Sequence, residues 1–147
     1  MLIMETSLIE KLEKTRYNLL KWLTIGWAIW FGTFILKDSV QNHVILGVAS
    51  TVCVWGWIIF IINLVKFLKL KRELNWDLKA KEALNDELHQ LNMHKSFQIG
   101  FGVVIWTTVV FLGIAEFLEI KALFVTEITL YFGVLSVLIS GLIYNRD

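Results

Sequence analysis

The residues best suited to chemistry fall into three small groups. Asp86, Glu87, His89 and His94 crowd one polar window, and imidazole with carboxylate is an ordinary donor set for zinc. Two ligating rings on a helix must be three or four residues apart to share a face, but His89 and His94 are five apart. The spacing assigns them to solvent, and no metal site is expected. Glu116, Glu119 and Glu127 form the second group, with Lys121 among them. A ring of such acids from several subunits would concentrate cations at a pore mouth. The plainer reading is interfacial carboxylates, one of them paired with Lys121. The third group is polar and uncharged: Asn63, with Thr107, Thr108, Thr129, Ser136 and Ser140. These side chains either line a permeation path or hydrogen-bond between helices. No H-E-x-x-H, C-x-x-C, G-x-S-x-G or phosphate-cradling loop occurs, so no catalytic residue and no cofactor is assigned, and the chain reads as a non-enzyme.

The elements that carry these residues follow from composition. Of 147 residues 56% are hydrophobic, mean hydropathy is +0.64 and proline is absent. A soluble domain is usually about 45–50% apolar. Here the excess is gathered into runs long enough to cross a bilayer, for which ~20 apolar residues are needed. A net charge of +1 gives no field for nucleic acid. The single cysteine, Cys53, excludes an intrachain disulfide. No cleavable signal peptide is expected, because the first apolar run follows a charged segment and no A-x-A site ends it.

The pattern predicts an all-α integral membrane four-helix bundle in one domain. Residues 1–18 read as an amphipathic lead-in helix on the membrane surface, with Ser7 and Glu10 spaced as a capping box. Spans follow at 19–36, 43–65, 97–118 and 122–144. Small or polar residues recur on one face of the later spans: Ala49, Cys53, Gly56, Phe60 and Asn63; Gly102, Trp106, Val109, Gly113 and Glu116; and Thr129, Gly133, Ser136, Ser140 and Tyr144. In lipid such faces turn toward other helices, because small side chains let backbones approach. Gly102, Gly113, Gly133, Ser136 and Ser140 are therefore expected at helix-packing or subunit contacts.

Lys66–Lys95 is the one long polar stretch, and it holds seven of the fourteen basic residues. From Trp57 to Ala83 there is neither glycine nor proline, so the second helix is expected to run on out of the bilayer. Asn85-Asp86-Glu87 supplies a helix restart, with asparagine at the cap and acids at the positive end of the dipole. The stretch is read as a cytosolic helical hairpin, with a helix lying flat on the headgroups as the competing arrangement. Trp76, Leu84, Leu88 and Leu91 form its apolar partner surface. Orientation follows from counting cations on each side. The N-terminal segment, the Lys66–Lys95 stretch and the tail carry twelve, while Lys37 and Lys121 stand alone in the other two turns. Both termini and the hairpin are thus expected in the cytoplasm.

An internal repeat is also legible. Asn18, Lys21, Ile25 and Gly26 recur as Asn92, Lys95, Ile99 and Gly100, each pair 74 apart, and Thr33/Thr107, Leu64/Leu138 and Arg72/Arg146 share the offset. Two transmembrane hairpins, each with a cytosolic lead-in, would form a parallel repeat about the membrane normal. Residues 84–147 carry Asn85-Asp86-Glu87, then Asn92, Lys95 and Gly100-Phe101 ahead of a hairpin ending Tyr144-Asn145-Arg146. This part resembles short bacterial membrane proteins of uncharacterised families. The resemblance implies a tetraspan protein of a bacterial inner (plasma) membrane and supplies no activity.

No Asp, Glu, Lys or Arg lies near the middle of a span, which disfavours a proton-coupled transporter. Small multidrug exporters need a central glutamate in the first span, and none is present. The first expectation for function is an oligomeric sensor or scaffold whose cytosolic helical surface engages a protein partner. The alternative is an oligomeric ion channel or pore using Asn63, Glu116 and Glu127, and a small-molecule transporter stands third. The bilayer and further copies of the chain are the other expected partners.

Overall fold

The computed structural model describes residues 2–39, 42–76, 87–115 and 117–145, and the secondary structure among them is helical. There are four helices: α1 (Leu2–Ser39), α2 (His43–Trp76), α3 (Glu87–Ala115) and α4 (Ala122–Tyr144). All four are long and apolar enough to cross a membrane.

Local chemistry explains most of the boundaries. No glycine or proline precedes Gly26, so nothing divides the lead-in from the first span. α1 is one uninterrupted helix of 38 residues, so the lead-in and the first apolar run are continuous. Ser7–Glu10 lies inside it and does not start it. α2 begins at an asparagine cap, where Asn42 Oδ1 accepts from the Val44 N–H at 3.0 Å. It continues to Trp76, eleven residues past the expected end of the span at Val65. α3 starts at Glu87; Asn85 and Asp86 lie outside the described residues. α3 ends at Ala115, three residues before the expected limit. The Phe117 and Leu118 N–H groups both donate to the Ile114 carbonyl (2.9 and 3.0 Å), which turns the chain. α4 begins after an extended Lys121 (φ −64°, ψ 128°) and closes with the Asn145 N–H donating to Gly141 O.

The helices pack as an open row in the order α2, α1, α4, α3. α1 lies against both α2 and α4, and α4 also against α3; among the described residues no other pair packs extensively. The small buried set follows from this. Leu23, Thr24, Gly26 and Trp27 are buried on α1, Gly56 on α2, Ser96 and Gly100 on α3, and Gly133 and Ser140 on α4. Most of the large apolar side chains of α2 and α3 are exposed.

Each hairpin is pinned by two glycines, one on each helix. A Cβ at Gly26 would lie 2.7 Å from the Phe60 backbone nitrogen, and one at Gly56 would lie 2.6 Å from that of Trp30. In the other hairpin a Cβ at Gly100 would meet Val137 Cγ2, and one at Gly133 would meet Val104 Cγ2 at 2.5 Å. The two registers coincide. Gly26 and Trp30 lie 74 residues before Gly100 and Val104, and Gly56 and Phe60 lie 77 before Gly133 and Val137. The extra three residues are the difference between the connections 40–42 and 116–121. Packing therefore aligns the second helices at 77, so Leu64 and Leu138 do not occupy matching places, and Arg146 lies outside the described residues.

Candidate functional site

Three of the four helix ends that carry cations meet in a polar layer. Arg16 Nη2 donates to Asn145 Oδ1 at 3.5 Å, joining α1 to the end of α4. Asn92 Nδ2 donates to the Tyr144 carbonyl at 2.8 Å, and Lys95 Nζ lies 5.9 Å from the centre of the Tyr144 ring. One turn deeper, Ser140 Oγ donates within α4 to Ser136 O (2.6 Å) and approaches Ser96 O at 3.5 Å. Ser96 and Ser140 are both buried. Their small side chains let α3 and α4 touch here.

The first hairpin is open at the same level. Trp22 and Asn63 occupy the places of Ser96 and Ser140 at the 74 and 77 offsets, and between α1 and α2 lies a groove of about 460 Å³. Asn18, Asn63 and Lys66 supply its polar rim; Ile59 and Ile62 supply its apolar wall. Asn63 Nδ2 gives one of its two N–H groups to Ile59 O at 2.7 Å. The groove thus combines the Lys66 ammonium and the Asn18 amide with a trough of hydrocarbon.

Of the residues expected to form a partner surface, three lie among the described residues. Trp76 closes α2, Leu88 lies in the first turn of α3, and Leu84 is outside the described residues. Leu91 is 48% exposed. Within a single chain the described residues considered for an oligomeric pore lie in different places. Asn63 faces the α1–α2 groove, whereas Ser140 is buried between α3 and α4. Thr107 and Thr108 donate to Val103 and Val104 carbonyls in their own helix, as Ser136 does to Gly133. Glu127 is half-buried, and Glu116 lies outside the described residues. Of the small residues, Gly133 and Ser140 serve contact within the chain. Gly102 and Gly113 have open space where a side chain would stand.

Trp27 and Trp30 of the first span suit packing against neighbouring helices, but sequence did not show that Phe31 and Tyr131 extend this aromatic cluster to α4. Trp27 packs on Phe31 (5.0 Å) and Phe60 (5.6 Å), and Phe31 stacks with Tyr131 at 6.2 Å. Tyr131 Oη reaches the Ala28 carbonyl at 3.5 Å. The available signal was the run of aromatics beside Gly26 and Gly32. The chain matches no family model, no curated protein and no solved structure.

Proposed function

We propose that the protein is an oligomeric membrane sensor or scaffold that presents a cytosolic helical surface, built from Lys66–Lys95, to a protein partner. One observation carries this reading: α2 has 34 residues, about 51 Å at 1.5 Å per residue, against a hydrocarbon core of about 30 Å. α2 and α3 therefore carry helix well past the apolar runs, on the side with twelve of the fourteen cations. That charge supports a cytoplasmic position for both termini and the hairpin, and the membrane of this reading is the inner membrane of a bacterial cell. The distribution of polar side chains supports a scaffold over a pore. The hydroxyls of Thr107, Thr108 and Ser136 are satisfied within their own helices.

The shared glycine register of the two hairpins supports descent from a duplicated two-span unit. In this reading the bundle is a platform, and apolar Trp76, Leu84, Leu88 and Leu91 are its contact surface. Replacing Trp76, Leu88 and Leu91 with glutamine should abolish partner binding while expression and oligomer size stay unchanged. Liposomes containing the protein should pass no ions. Conducting liposomes, or full partner binding by the triple variant, would replace this reading with the pore.

A further inference from the structure

The two edges of the open row carry matching halves of a joint that already exists in its middle. That joint is α1 against α4, the first helix of one hairpin against the second helix of the other. It is antiparallel along its length: Arg16 meets Asn145, a Cβ at Gly141 would lie 3.6 Å from Leu20 Cδ2, and a Cβ at Gly32 would lie 3.2 Å from Tyr131 Oη. Moving each helix to its counterpart, by 74 forward from α1 and 77 back from α4, gives a second joint of α3 against α2. Ala28, Phe31 and Gly32 become Gly102, Ile105 and Trp106, and Tyr131 becomes Val54.

These positions are open in a single chain. Trp106 is 72% exposed, Val54 55% and Ile105 47%, and nothing lies within 4 Å of a Cβ at Gly102. The size pattern of the joint is kept with its sides exchanged. In the middle a large ring from α4 covers a glycine of α1. At the edges a large ring from α3 faces a smaller valine of α2, with Gly102 one turn from the ring. If the hairpins were related by a two-fold, α3 would close onto α2 of its own chain. Among the described residues it does not pack there, so a hairpin that continued the series would come from another molecule.

We infer that α3 of one copy seats on α2 of the next in a head-to-tail contact that repeats the α1–α4 joint. Such a heterologous contact builds a ring when its rotation closes, and its attraction in lipid is close packing. The inference rests on the oligomeric reading above and specifies the faces it uses.

Cysteine crosslinking in liposomes tests it, in a Cys53→Ala background. Val54→Cys and Trp106→Cys are placed on separately tagged copies and oxidised together. Disulfides should form between the two variants and not within either variant alone. A chain carrying both cysteines should give dimers and higher multimers, because its own pair lies on opposite edges of the row. Three results would overturn the inference: Trp106→Cys pairing with itself, an internal disulfide in the doubly substituted chain, or no crosslink with both cysteines quenched by lipid-borne probes. The last would leave the edges facing lipid. Partner binding through Trp76, Leu88 and Leu91 is scored separately, so a scaffold with different subunit contacts remains distinguishable.

Discussion

At the scale of single residues, buried polar atoms divide into those with partners and those without. Thr129 Oγ1 and Trp27 Nε1 are buried with no hydrogen-bond partner among the described residues. A buried group left unsatisfied costs about 1–3 kcal/mol. Thr129→Val keeps the shape and removes the unpaired hydroxyl, so its melting temperature in detergent should equal or exceed that of the parent. The other hairpin already has valine at the corresponding place, Val52. Ser140→Ala is the contrasting case, because Ser140 Oγ donates within α4 and sits against Ser96. It should lose about 1 kcal/mol, the usual net worth of one hydrogen bond, and thermal unfolding of the two variants side by side reads the difference. Sequence could name both hydroxyls but not tell them apart, since they share one face of one helix and differ only in what lies opposite.

Helix pairs are set by glycine, and glycines on apolar helices are not equivalent. At Gly26 and Gly56 the nearest facing atom is a backbone nitrogen of the other helix, which cannot rotate aside. Gly26→Ala or Gly56→Ala should each cost about 1–3 kcal/mol through overpacking and pull α1 from α2. Gly47→Ala meets nothing within 4 Å and should leave stability unchanged. Unfolding in graded denaturing detergent would check all three, and a harmless Gly26→Ala would contradict the close approach. The spans themselves were legible because twenty apolar residues admit few alternatives, and α4 occupies 122–144 as read. Two things at this scale were hidden. A small-residue face marks a contact but not the contacting helix, so Gly133 and Gly102 looked alike. The offset of 74 was visible in the first helices, but the packing glycines of the second helices, Gly56 and Gly133, are 77 apart.

The whole molecule is an open row whose two outer helices keep most of their apolar surface uncovered, and that order of helices was not written in any local pattern. Orientation, by contrast, rests on charge that sequence displays directly. Impermeant thiol reagents should label Val40→Cys from outside and Ala80→Cys only from inside, in a Cys53→Ala background; external labelling at position 80 would reverse the topology. The central claim is that the long helices carry a working surface to a cytosolic protein. Its most direct test is photocrosslinking in living cells from Leu91, which is exposed near the start of α3. The account predicts an adduct heavier than the chain by the mass of one cytosolic protein, and loss of that adduct when Trp76 and Leu88 are replaced with glutamine. Adducts formed only with lipid or with further 17.1 kDa copies would contradict it.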